Sequence, residues 1–171
     1  MNWVKQFIVG ICLFVGLLAG SVGHAGQLDK PKGKVILRVD GKITNTNNGS
    51  VAEFDRQGLE ALGMTSITTK TPWHNNAIKF EGVSLQKLME VVGAQGTSVK
   101  VIALNDYVAP IPFDDFKRFD PIIALKRDGE YMTVRDKGPL FIVYPYDKDL
   151  QLQNQTYYTR SVWQLRKLTV E

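Results

Sequence analysis

The sequence predicts an α+β or mostly β domain. Many short, β-branched or apolar runs are separated by turn signals, helical spacing occurs only in short patches, and no strand–helix–strand rhythm that would mark a parallel α/β sheet is present. Lys34–Gly41 reads as a first strand ending in a turn, and residues 45–50 as a loop. Leu59 and Leu62 share one face of a short helix, with Asp55 as its cap and Gly63 as its stop. Ile67, Thr68 and Thr69 form a β-branched run. The next six residues, Thr71-Pro72-Trp73-His74-Asn75-Asn76, are too polar and proline-marked to continue it, so a loop is expected there.

Beyond that loop, Phe80–Val83 leads to a helix capped by Ser84, with Leu85, Leu88, Met89 and Val92 on its apolar stripe and Gly93 at its end. Val99–Leu104 is a strand, Asn105-Asp106 a turn, and Tyr107–Pro112 an extended segment held to a sheet edge by Pro110 and Pro112. Phe113–Phe116 suggests one helical turn. Ile122–Lys126 and Tyr131–Val134 flank Asp128-Gly129, a two-residue hairpin signal. Gly138–Tyr144 is a further strand, 147–155 a polar excursion, and Ser161–Val170 a closing strand. There are no repeats and no low-complexity tracts.

The N-terminus has the pattern of a secretory signal peptide: Lys5 as its only charge, an apolar run from Phe7 to Gly20, and small residues up to Ala25. The apolar run is shorter than the ~20 residues of a membrane span. Cleavage after Ala25 is expected to remove 25 of the 171 residues and leave one domain, 26–171, of 146 residues. Because Lys5 is lost and no acid with it, the formal charge falls from +4 to +3. No Lys/Arg cluster marks a nucleic-acid face. Cys12, the single cysteine, lies in the removed segment, so the mature chain has no disulfide, thiolate ligand or cysteine nucleophile. Export without disulfides suits a bacterial periplasm.

The residues alone make no case for catalysis. His74, the one histidine of the mature chain, would need carboxylates for every other ligand of a metal site, and no Gly-x-Ser-x-Gly elbow is present. Recognition of a flat polar heterocycle is better supported. Such a ligand needs an aromatic or guanidinium plane and fixed donors and acceptors at its rim, and Trp73, His74, Asn75 and Asn76 offer both.

Taken in order, the Trp73 loop, Phe80-x-Gly-Val-x-Leu-x-x-Leu, Asn105-Asp106-Tyr107, Asp128-Gly129-Glu130, Gly138-Pro139-Leu140 leading to Pro145, and the last segment through Trp163 resemble the molybdopterin-binding domain of sulfite-oxidase-type oxidoreductases. The resemblance runs from Val35 to Val170 and implies an α+β fold with a mixed β core and a few short helices. It also exposes two departures. The molybdenum-binding cysteine of the enzymes would fall among Thr69, Lys70 and Thr71, and neither a hydroxyl nor an ammonium replaces a thiolate. Phe141 stands where the enzymes carry an arginine for the phosphate-bearing tail of the cofactor.

The pattern is therefore similar to the small periplasmic pterin-binding proteins that keep this fold without molybdenum. That resemblance implies a non-enzymatic protein that binds a free reduced, non-metallated pterin. It also implies control of a membrane-bound partner carrying diguanylate cyclase and phosphodiesterase domains, and thereby cyclic di-GMP signalling. Carried onto this chain, the pocket consists of Thr71, Trp73, His74 and Asn75 from the loop, Lys137 and Gly138 from the turn, and Arg160, Ser161 and Trp163 from the closing segment. The alternatives are a molybdopterin oxidoreductase without a protein thiolate and a ligand-free interaction domain.

Overall fold

A computed structural model describes residues 28–171; the expected signal peptide and its cleavage site at Ala25 lie outside them. Among the described residues no helix is long and apolar enough to cross a membrane. The described residues form two five-stranded sheets. The first has the order β2 (Ala52–Phe54), β1 (Leu37–Gly41), β10 (Leu165–Val170), β5 (Ser98–Ala103), β6 (Val108–Pro112), with β1 and β10 parallel and the other pairs antiparallel. The second runs β3 (Thr65–Thr71), β4 (His74–Ser84), β7 (Ile122–Arg127), β8 (Glu130–Tyr131), with β9 (Phe141–Val143) also on β7.

Period-two alternation makes the second sheet serve two cores at once. On β7, Ile123 and Leu125 face the main core, which also holds Leu37, Val39, Leu85, Leu88, Val101, Leu165 and Leu168. Ile122 and Ala124 face a smaller cluster with Ile67, Phe80, Met132, Phe141 and Val143. On β9 the split repeats, Ile142 to one side and Phe141 with Val143 to the other. Trp73 and Trp163 pack, half-buried, on the smaller cluster, so that cluster is the floor under the expected site.

Among the described residues, four short α-helices decorate the sheets. Asp55 caps α1 (Arg56–Glu60) by accepting from the Gly58 N–H at 2.7 Å, and Ser84 caps α2 (Leu85–Val91) by accepting from the Lys87 N–H at 3.1 Å. Both caps are as expected from the sequence. Gly93 ends α2 with φ +61°, a conformation its missing Cβ permits. Asp128 and Gly129, at φ 49° and 88°, make the expected hairpin between β7 and β8.

Several expectations need correcting. The strand expected over Tyr131–Val134 ends at Tyr131, and Val134 opens a 3₁₀ turn. The segment 71–76 is not a loop: Thr71 ends β3, His74 opens β4, and only Pro72 and Trp73 form the turn, so the stretch is the tip of a β-hairpin. Its polarity misled because Asn75, Asn76 and Ala77 are all exposed, the tip standing beyond the sheet. Residues 155–160, partly assigned to a polar excursion, form α4 (Gln155–Arg160), capped by Asn154. The closing strand starts at Leu165 rather than Ser161, with Ser161–Gln164 as a linker; Trp163 still bridges to Phe141. Finally, α3 (Phe113–Phe119) is seven residues rather than one turn, because Asp114 and Asp115 in its first turn and Lys117 and Arg118 in its last complement the helix dipole.

Candidate functional site

Trp73 occupies the turn of the β3–β4 hairpin and lies edge-on to three rings: Trp163 at 5.5 Å, Phe141 at 5.6 Å and Tyr158 at 6.1 Å. Interplanar angles of 67–81° are the edge-to-face geometry that aromatic quadrupoles favour. Four separate elements thus supply one aromatic cluster, and the hairpin tip, the linker before β10, β9 and α4 are fixed relative to one another through it. Lys137, at φ 71° after a 3₁₀ turn at Val134–Asp136, lays its ammonium 4.2 Å from the centre of the Trp163 ring and 5.7 Å from that of Trp73. Among the described residues no carboxylate lies within ion-pair distance of it, so its counter-charge is the indole faces alone.

His74 stands beside this cluster, edge-on to Phe80 at 6.0 Å. Its Nδ1 is 2.7 Å from the Thr71 hydroxyl, whose oxygen also accepts the Trp73 N–H at 3.3 Å. Either group can donate in the Thr71–His74 contact, because the hydroxyl keeps a second lone pair beside the one that Trp73 takes. Burial holds the imidazole below its usual pKa, and the charges of Arg127 and Lys137 push the same way against a smaller opposing effect of Asp128. Burial and then Arg127 likewise lower the Lys137 ammonium. The result is an imidazole held neutral, with Nε2 outside the Thr71 contact, next to a partly desolvated cation.

Arg160 and Ser161 take a different role from a free ligand-facing pair. The Arg160 guanidinium donates to Asp115 at 2.8 Å, and the same carboxylate oxygen accepts the Tyr144 phenol at 2.7 Å. Asp115 is 5% exposed at its side chain and Arg160 22%, so this is a mostly buried ion pair joining α3 to the end of α4. Ser161 is buried; its hydroxyl donates to the Tyr157 carbonyl at 2.8 Å and is bonded by the Tyr146 phenol. Burial raises the pKa of both Tyr144 and Tyr146, keeping the phenols protonated as donors. Gly138 is buried where a Cβ would come within 2.3 Å of the Met132 carbonyl oxygen, so only glycine lets the turn after Lys137 close on β8's end. Asn75 is exposed on β4.

Two cavities border the cluster. One, of about 350 Å³, is lined by Lys70, Thr71, Pro72, Tyr146, Asp147 and Tyr158. The other, of about 260 Å³, lies between the β5–β6 turn and α4; Asn105, Tyr107, Gln155, Thr159, Ser161 and Trp163 line it, and no charged side chain does. Both sit at or near the lower end of the range for small-molecule sites. Two larger clefts, about 430 and 490 Å³, surround α1 and share Asp55, whose carboxylate is occupied by the backbone N–H groups of Lys32, Gly33 and Gly58.

The structure therefore brings Trp73, Lys137 and Trp163 together, pairs Thr71 with His74 beside them, and turns Arg160 and Ser161 towards Asp115, Tyr146 and Tyr157. Sequence reasoning passed over Tyr158 and Phe141 as walls of the cluster and Asp115 as the partner of Arg160. The Tyr157-Tyr158 pair next to Arg160 was the available signal. For Asp115, which in sequence is one of two adjacent aspartates opening a helix, there was none.

Comparison with family profiles and with curated proteins finds no match. Among solved structures the fold is similar to the sulfane dehydrogenase SoxCD of Paracoccus pantotrophus, with a TM-score of 0.58 and 15% sequence identity over 78% of this chain and 37% of that one. The chain thus spans little more than a third of the protein chain it matches. At that identity the likeness shows the fold, an α+β architecture of mixed sheets and short helices of the sulfite-oxidase-like type, and the fold alone.

Proposed function

We propose that this protein is an exported, periplasmic pterin-binding regulatory module that senses a free reduced pterin and controls a membrane-bound diguanylate cyclase/phosphodiesterase. The observation that carries the reading is the half-buried pair of indoles, Trp73 and Trp163, with the Lys137 ammonium over them and the neutral His74 beside them. A pterin is a flat heterocycle with a carbonyl and ring nitrogens at its rim. Indole faces supply its stacking plane, Lys137 Nζ supplies a donor for its acceptors, and His74 Nε2 is a further polar partner at the rim. Because four elements meet at Trp73, a ligand that shifts this ring has a means of altering the surface offered to a partner.

Molybdenum is left out of the proposal on the chemistry of the donor set. At the positions where the family resemblance puts a thiolate, Thr69 Oγ1 donates to the Lys70 carbonyl and accepts from the Asp147 N–H, while Thr71 Oγ1 is taken by His74 and Trp73. These are hard oxygen groups already engaged, unsuited to a soft metal site. One observation favours the second reading, an oxidoreductase: the structural neighbour is by name a dehydrogenase. The two readings separate on purified protein. Material released by denaturing protein isolated from the exporting cell should contain a pterin by mass and fluorescence, without stoichiometric molybdenum. Stoichiometric molybdenum would favour the enzyme, and the absence of any pterin, together with no binding on adding one back, would sink the proposal.

A further inference from the structure

Four of the outer strands at the edges of the two sheets are blunted. β2 and β9 have three residues each and β8 two, and β6 carries Pro110 and Pro112. Very short or proline-bearing edges are how sheets avoid pairing with other chains. The fifth, β3, is different: seven residues, Thr65–Thr71, rich in threonine, with no proline and Lys70 as its only charge. It pairs with β4 on one side only.

The direction of its outer hydrogen-bonding groups can be read from its partner. Thr68 lies opposite Lys79, and Lys79 spends its own backbone away from β3: its N–H donates to the Asp128 carboxylate at 3.1 Å and its carbonyl accepts the Asp128 N–H at 2.8 Å. In an antiparallel pair, residues opposite one another both point their backbone groups inward or both outward. Thr68 therefore points outward, and Ser66, two residues away, does the same. Lys70 follows the same parity, its N–H capped by the Asp147 carboxylate at 2.8 Å. The side chains of Ser66 and Thr68 are exposed as well.

We infer that β3 is a self-association edge, and that a second copy of this chain pairs with it antiparallel about a two-fold axis at Ile67. The sequence of the strand is complementary to itself in that register. Ser66 meets Thr68 of the other copy twice, giving two hydrogen-bonded pairs from the outward backbone groups. On the exposed face these are hydroxyl–hydroxyl neighbours, a favourable cross-strand pairing. Ile67 meets Ile67 on the buried face. Lys70 falls opposite Met64, an exposed apolar residue, so no like charges oppose each other. Pairing one residue further along, about Thr68, would place Ser66 against Lys70, whose N–H Asp147 already holds; the capped amide selects the Ile67 register. The contact is isologous and closes after two copies. It is independent of whether the aromatic cluster binds a pterin.

The test is sedimentation equilibrium of the mature protein at loads up to ~1 mM, a concentration at which even a millimolar dimer is half formed. Three samples are compared: wild type, the double variant Ser66→Lys with Thr68→Lys, and the double variant Ser66→Glu with Thr68→Glu. These exposed positions leave the monomer folded, as circular dichroism checks. The expected result is a reversible wild-type dimer, monomers for each charged variant alone, and a heterodimer when the Lys and Glu variants are mixed. A wild type that stays monomeric throughout, a dimer that survives the lysines, or no association on mixing each overturns the inference. So does a β3 whose amides gain protection from exchange only when a different protein is added.

Discussion

The Asp115–Arg160–Tyr144 network gives the sharpest quantitative prediction. Asp115→Ala removes a carboxylate that is 5% exposed and leaves a guanidinium that is 22% exposed without its partner, together with a phenol that loses its 2.7 Å acceptor. Breaking a fully buried pair by deleting one member costs ~3–5 kcal/mol. Water reaches part of Arg160, so the lower end applies, about 3 kcal/mol with the phenol included. For a domain of this size that lowers Tm by roughly 6–12 °C. Arg160→Met should cost less, about 1–2 kcal/mol, since Asp115 keeps the Tyr144 phenol as a donor and the lost guanidinium was itself partly exposed. In the double variant Asp115→Ala/Arg160→Met the two losses should fall short of their sum by at least ~1 kcal/mol. Calorimetry of the four proteins reads this directly. A shift under 2 °C for Asp115→Ala, or strict additivity, would refute the network and return Arg160 to the pool of free ligand-facing groups.

The remaining predictions concern the cluster itself. Gly138→Ala should fail to accumulate as folded protein or lose several kcal/mol, because the new Cβ meets the Met132 carbonyl oxygen; normal Tm for this variant would contradict the packing. His74, followed by its ring-proton NMR shift, should titrate below the ordinary imidazole pKa. Its folded pKa is lowered, so its contribution to stability is present above the unfolded value near 6.5 and is lost as pH falls through the folded one. A His74 pKa at or above that of a free histidine would contradict the burial. Lys137→Met removes a nearby positive charge and should raise the His74 pKa, while a downward shift would place the ammonium elsewhere.

Legibility in the sequence followed the locality of the signal. Caps at Asp55 and Ser84, the Asp128-Gly129 turn and the edge prolines of β6 are set by neighbours within a few residues, and all were readable. The hairpin at Pro72-Trp73 was missed because an exposed tip relieves its strands of the alternation that betrays them elsewhere. α4 was missed because tyrosine and threonine favour strands, and tertiary contacts overrode them: Tyr157 packs on Tyr144 and Phe119, and Tyr158 on Tyr146 and Trp73. Of the nine proposed pocket residues, those whose chemistry is a surface, Trp73, Trp163 and Lys137, could be named without knowing their partners. Arg160 and Ser161 could not be assigned, since their role depends on Asp115 and Tyr146, 45 and 15 residues away.

The central claim is that a pterin lies against the indoles of the hairpin and linker. Of the three tryptophans, Trp3 falls in the expected signal peptide, so all indole emission of the mature protein comes from Trp73 and Trp163. Anaerobic titration with a free tetrahydropterin therefore reports on the two indoles through that emission and on binding as a whole through the heat. The account predicts saturable quenching that reaches one equivalent, weakened at least tenfold by Trp73→Ala while the fold persists. Unchanged emission with no heat, across the concentration range where small ligands bind, would contradict it.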